Sequence, residues 1–368
     1  MNILGAHIDS PRIDVKQNPL YEDTDLAYLD THYYGGIKKY QWVAIPLALH
    51  GVIVRKTGEK VIINIGEDEN DPVFCISDLL VHLAQEQMTK NAKEVVEGEA
   101  LNLIVGGRPL EGEEKDAVKA NVLKLLADKY GVEEEDFLSA ELEIVPAGKA
   151  RDMGFDRSMI LAYGHDDRVC AYPSMMAVLD YEGTPEYTLC CIVTDKEEIG
   201  SVGATGMASH YLENTVAELY ACTADYCELA VRRCLRNSRM LSSDVSAGFD
   251  PNFAGVFEKR NASIVGNGVT FNKFTGSRGK SGSNDASAEV VGKLRKIFAD
   301  NGVVWQMSEL GKVDQGGGGT VAQYMANRNI DTIDAGTPVF SMHAPFETVT
   351  KFDCYQTYKA MWAFYKDR

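Results

Sequence analysis

Positive charge is scarce in this sequence: 37 Lys and Arg stand against 54 Asp and Glu, for a formal net charge of -17. A surface of that sign repels phosphate backbones and anionic lipid headgroups, which excludes nucleic acid and membrane surfaces as partners. Apolar runs long enough to cross a bilayer are also missing, and the opening MNILGAHIDSPR has neither the basic nor the apolar region of a signal peptide. Both absences point to a cytoplasmic protein. No CxxC pair occurs among the eight cysteines, and Cys190 and Cys191 are neighbours inside an apolar run, where strand geometry sends them to opposite faces. The cysteines therefore read as reduced core residues rather than zinc ligands. Internal repeats are absent, and the only low-complexity tract is Gly316 to Gly319.

What is present is length and alternation. A chain of 368 residues exceeds the usual single domain, so a large domain carrying a smaller one is expected. Strand-length runs alternate with helical patterns through the second half: SMILAYG, YTLCCIVT, RMLSS, VVWQM and TPVFSM read as strands, and Ala171 to Asp180, Ala288 to Ala299, Thr320 to Asn327 and Phe352 to Lys366 as helices. This is an α/β pattern, a mostly parallel sheet covered by helices. Residues 14-150 differ in texture, with strand-like VIINIG and ELEIV, an acidic loop GEDENDP, and two helix candidates, Ser77 to Ala92 and Lys115 to Tyr130. They read as an inserted domain, leaving 1-13 and 151-368 as one discontinuous domain.

Five places share a pattern in which an apolar run ends on a side chain able to bind metal. These are His7 and Asp9 after NILGA, Asp166 and Asp167 after SMILAYG, Glu197 and Glu198 after YTLCCIVTD, Asp244 after RMLSS, and His343 after TPVFSM. In an open parallel sheet the carboxyl ends of the strands face one crevice, so residues remote in sequence converge there. Carboxylates gathered in that way repel and raise one another's pKa unless cations lie between them. Imidazole and carboxylate donors without thiolate suit zinc, and also manganese or cobalt, in a two-metal site with ions about 3.5 to 4 Å apart. One carboxylate must then stay off the metal to take a proton from water. A carboxylate two residues from His7, as Asp9 is, can orient a ligand imidazole.

The segments GAHIDSPR, YYGGIKKYQW, GHDDR, DKEEIGS, SSDVSAGFDPN and SMHAPFE span nearly the whole chain, in an order that resembles the M18 family of metallo-aminopeptidases, the aspartyl aminopeptidase family. The resemblance implies a zinc-peptidase-like catalytic domain with an inserted dimerisation domain. It implies that His7 and Asp244 serve one metal and Glu198 and His343 the other, with Asp166 bridging them, Glu197 as general base on the bridging water, and Asp9 orienting His7. The implied reaction is removal of the amino-terminal residue from peptides. The implied assembly is a homo-oligomer in which dimers build a tetrahedral dodecamer around the active sites. Members of the family usually carry a helical segment before the first metal histidine, whereas this sequence opens in the first strand, so it is expected to lack that part.

Two stretches depart from the family pattern. DVSAGFDPN places Ala247 and Asp250 where many members have histidines, and GSRGKSGSNDAS replaces a tyrosine-containing stretch, so substrate contacts are expected to differ there. Lys273, Arg278 and Lys280 in NKFTGSRGK are candidates to meet an acidic substrate side chain, because a guanidinium holds a carboxylate through two parallel bonds; Asp250 is a further substrate candidate. Gly316 to Gly319 reads as a close turn opening the helix Thr320 to Asn327, since it lacks the GxxxxGK[ST] pattern of a phosphate loop, and Tyr33 to Gly36 reads as a turn of the inserted domain. Two alternatives to an aminopeptidase keep the same fold: a related amidohydrolase or deacylase, which would act on blocked rather than free amines, and a non-catalytic assembly scaffold.

Overall fold

A computed structural model describes residues 1–367. The chain divides into two compact units, one made of Met1–Ser10, Arg151–Met342 and the C-terminal segment from Glu347, the other of Pro11–Ala150 and His343–Phe346.

The first unit is built on a six-stranded sheet in the order Leu189–Thr194, Asn2–His7, Arg239–Ser242, Asp331–Gly336, Val269–Asn272, Trp305–Met307. The first four strands are parallel, and Val269–Asn272 runs antiparallel to Asp331–Gly336. Side chains alternate across a strand, and this period sorts the two central strands between two cores. Leu4 and Leu241 pack with Phe271, Ile333, Phe298 and Phe364 on one face. Ile3 and Met240 pack with Leu212, Val216, Val231 and Leu235 on the other. The helices His165–Leu179, Ala288–Asp300 and Lys351–Lys366 supply side chains to the first core, and Tyr211–Ala221 and Glu228–Arg236 to the second. Every residue of Asn2–His7 is buried, so the strand reads as a continuous apolar run rather than an alternating one. Each large aliphatic side chain buried in this way contributes about 1.5–3 kcal/mol. No helix among the described residues is long and apolar enough to cross a membrane.

Two of the expected strands lie elsewhere. SMILAYG forms only Met159–Ala162, which joins Glu347–Thr350 and Arg151–Met153 in a separate antiparallel sheet, and TPVFSM supplies a two-residue strand, Pro338–Val339, paired with Ser246–Ala247. His7, Glu197, Glu198 and Asp244 thus follow strands of the main sheet, whereas Asp166 and His343 follow strands of other sheets. The helix expected from Ala171 starts earlier, at His165, with non-helical angles at Asp166 and Asp167. The glycine run is a packed turn just before the short helix Ala322–Ala326, where a Cβ on Gly316 would stand 1.7 Å from the carbonyl oxygen of Leu310.

The second unit is a six-stranded antiparallel sheet in the order Lys60–Ile65, Leu47–Val54, Ala140–Pro146, Arg12–Asp23, Leu26–Tyr34, Leu103–Gly106, with the helix Ala117–Tyr130. A two-residue turn, Thr24 and Asp25, both at positive φ (50° and 58°), closes its longest hairpin, as the right-handed twist of the strands requires. The helix expected over Ser77 to Ala92 does not form; single turns at Val81–Leu83 and Gln87–Thr89 take its place. Leu80, at ψ 144°, is extended, and Leu79, Leu80, Val81, Leu83 and Met88 are exposed. Without an apolar face buried against the fold, the cost of helix nucleation is not recovered.

Candidate metal centre

His7 ends the strand Asn2–His7 and is 1% exposed. Its Nδ1 lies 2.9 Å from the backbone carbonyl oxygen of Asp9. A carbonyl oxygen can only accept, so Nδ1 carries the proton and Nε2 is the nitrogen turned toward the acids. Nε2 stands 3.1 Å from Asp166 Oδ1, 3.8 Å from Asp244 Oδ1 and 4.0 Å from Glu197 Oε2. Burial alone pulls the imidazolium pKa down, but hydrogen bonds to Asp166, Asp244 and Asp9 outweigh it and hold His7 well above its ordinary value.

Asp9 is tied in through both its backbone and its side chain. Its backbone carbonyl serves the ring of His7, while its carboxylate accepts the backbone N–H of Glu197 and of Glu198, each at 3.1 Å. That carboxylate lies 3.4 Å from His7 Nδ1. The turn it grips begins at Lys196 in the left-handed region, φ 67°, which lets the chain reverse directly after the strand Leu189–Thr194. Glu197 is largely buried, and its pKa is pushed up to about 8, first by burial and then by the charge of Asp244.

Asp244 follows the strand Arg239–Ser242, where a close backbone approach is built in. A Cβ on Gly336 would stand 1.8 Å from the carbonyl oxygen of Asp244, so only glycine fits there. Sequence reasoning grouped Asp167 with Asp166 as able to bind metal without making it a ligand, and it passed over Asp334. Asp167 is fully buried, takes the backbone N–H of His7 at 3.4 Å, and is held well above the carboxylate range by burial and by Asp244. Asp334 accepts from the Thr320 hydroxyl at 2.7 Å and is raised by burial to about 7. The signal for both was a buried strand or helix start carrying an acid next to the ligand segments.

The donor set fits a divalent cation. His7, Asp166 and Asp244 offer ligand atoms all within 4.8 Å of one another, and so do His7, Glu197 and Glu198. Both groups combine imidazole nitrogen with carboxylate oxygen and contain no thiolate, as zinc accepts. His343, at φ 66°, belongs to the segment grouped with the second unit, where its Nδ1 lies 2.9 Å from the carbonyl oxygen of Gly36. The substrate candidates have partners of their own. Lys273 and Lys280 both bind the carboxylate of Asp285, Lys280 also lies 3.9 Å from the centre of the Phe274 ring, and Asp250 caps the turn Pro251–Val256 by accepting the N–H of Asn252 at 2.9 Å. Arg278 is exposed.

The family model for aminopeptidase I zinc metalloproteases (M18) matches residues 1–365. A probable M18 family aminopeptidase 1 of Clostridium acetobutylicum is 60% identical over 363 residues, covering 98% of this chain and 78% of its own. The crystal structure of an M18 aminopeptidase from Thermotoga maritima matches with a TM-score of 0.96 at 46% identity, covering 100% of this chain and 81% of that one. The crystal structure of aminopeptidase I from Clostridium acetobutylicum matches with a TM-score of 0.94 at 57% identity, covering 100% and 79%. With the fold, the acid and imidazole cluster and these likenesses in agreement, the chain belongs to the M18 family of zinc metalloproteases and is a metallo-aminopeptidase.

Proposed function

We propose that this aminopeptidase works with two divalent ions per chain, zinc before manganese or cobalt, and that Glu197 is its general base. In this reading His7 and Asp244 hold one ion, Glu198 and His343 the other, and Asp166 both. When bound, the ions neutralise the gathered carboxylates, lower the pKa of water and polarise the scissile carbonyl. Glu197 then takes a proton from the attacking water and delivers it to the departing amine, while the C–N bond breaks and the new C–O bond forms. The substrate is a peptide with a free amino terminus. Lys273, Arg278, Lys280 and Asp250 are proposed as side chains that face it, with Arg278 the cation for an acidic residue.

The observation that carries this reading is the setting of Glu197, a carboxyl largely shielded from water on the turn that Asp9 grips, 4.0 Å from the nitrogen of His7 that faces Asp166. The two glutamates are next to each other on one gripped turn, so their roles are separated by substitution. Glu197→Gln keeps shape and hydrogen bonding but cannot take the proton. Turnover is expected to fall about 10²–10⁴-fold with metal content and peptide binding retained, whereas Glu198→Gln weakens metal binding. Near-normal turnover in Glu197→Gln at full metal content would rule out this assignment. Comparing peptides with free and acetylated amino termini separates the aminopeptidase from a deacylase.

We further propose that the second unit carries a dimer contact, which the exposed apolar residues Leu79, Leu80, Val81, Leu83 and Met88 support, and that dimers build a larger, tetrahedral homo-oligomer.

A further inference from the structure

We propose that Glu347 is the positioning residue that fixes Asp166 for metal binding, an inference that rests on Asp166 being a ligand. Asp166 has backbone angles outside the helix (φ -79°, ψ 104°), although it lies at the start of His165–Leu179. Its N–H and C=O therefore cannot both be satisfied by regular helix bonds, and a buried peptide group without a partner is costly. Side chains from two remote segments fill the need. Glu347 Oε2 accepts the N–H of Asp166 at 3.0 Å, and the Ser10 hydroxyl donates to its carbonyl oxygen at 2.6 Å.

The topology explains why Glu347 can reach. It is the first residue of Glu347–Thr350, which pairs antiparallel with Met159–Ala162, and its register partner is Ala162. The chain leaves that partner strand, turns at Gly164 in the left-handed region (φ 71°), and arrives at Asp166. Glu347 thus sits where the short sheet ends and the ligand segment begins. It is 1% exposed. A carboxylate placed that deep is expensive unless its hydrogen bonds are made, so its place beside the Asp166 peptide points to a task that an apolar residue could not do. With the peptide of Asp166 held from both sides, its carboxylate meets His7 Nε2 at 3.1 Å. Groups that orient a metal ligand without touching the metal are typically worth about 10–100-fold in metal affinity.

The test is zinc affinity of the full chain, stripped with a chelator and titrated in competition with a chromophoric zinc dye, for the wild type, Glu347→Ala, Glu347→Gln and Glu347→Asp. Glu347→Ala is expected to bind zinc about 10–100-fold more weakly, with a melting temperature of the metal-free protein close to that of the wild type. Glu347→Gln, whose amide oxygen accepts the same N–H, is expected to restore affinity to within a few-fold. Glu347→Asp, one methylene short, is expected to behave like the alanine variant, and it decides the matter if Glu347→Ala does not fold. Wild-type affinity in the alanine or aspartate variant, or an equal loss in the glutamine variant, would overturn the inference. Failure of the wild type itself to bind zinc would overturn the metal reading of Asp166 and this inference with it.

Discussion

At the scale of single residues the site is a set of acids held against their electrostatic preference. Glu197 at about 8, Asp334 at about 7, and Asp167 above the carboxylate range are all raised, with burial the first cause. A carboxyl whose pKa is higher in the folded than in the unfolded chain favours folding fully below its unfolded value, about 4, and that contribution is lost as pH rises through the folded value. His7, also raised, acts in the same direction. The metal-free protein is therefore expected to lose stability between about pH 4 and pH 8, and zinc to restore it most at the upper end. Thermal melts of metal-free and zinc-loaded protein across pH 5 to 9 check this. Zinc uptake near pH 7 is also expected to release protons, up to about one of them from Glu197, with the release fading above pH 8; a pH indicator in weak buffer reads it. The ligand candidates were legible in the sequence because each closes an apolar run. Of their supports, Asp9 was legible beside His7 and Glu347 was not: Glu347 and Asp166 are 181 residues apart, and nothing local marks the bond between them.

At the scale of elements, the close approach of Gly336 to the chain at Asp244 ties a backbone position to the site. Gly336→Ala forces a methyl into the carbonyl oxygen of Asp244, and overpacking of this kind costs about 1–3 kcal/mol. The expected outcome is a lower urea midpoint together with weaker zinc binding, since the strand end that carries Asp244 must move; a stability loss with unchanged zinc affinity would show that Asp244 does not depend on this packing. Of the elements themselves, the long periodic ones were readable: the helices Ala288–Asp300 and Lys351–Lys366, and the strands at Leu189–Thr194 and Arg239–Ser242, fall within a residue or two of expectation. SMILAYG shows the limit. Its apolar pattern announces a strand, but which sheet a strand joins is decided by distant partners, here Glu347–Thr350, and so cannot be read from the run. The stretch Ser77 to Ala92 failed for a related reason, because helical spacing of apolar residues counts only when a core meets them.

At the scale of the molecule, the alternation of strand and helix patterns and the change of texture over residues 14-150 led to the expectation of a discontinuous α/β domain with an inserted one, whereas the antiparallel sheet of the second unit was not read from the sequence. What composition left open is assembly. If the second unit carries the proposed dimer contact, replacing two of its exposed apolar side chains, Leu80→Asp with Val81→Asp, is expected to shift light scattering toward smaller species while leaving the circular dichroism unchanged. A wild type that scatters as a monomer at all concentrations would count against the proposed assembly.

The double grip of Asp9 on the turn after Leu189–Thr194 also has a kinetic signature. Because one carboxylate holds the amides of Glu197 and Glu198 together, these two protons are exchangeable only when the whole turn lets go at once. Hydrogen–deuterium exchange should find them slow and matched in rate, as in a buried strand, although they lie in a turn. The base and its neighbour then behave as one mechanical part, and Asp9→Asn, which weakens both bonds together, should speed the two amides by the same factor.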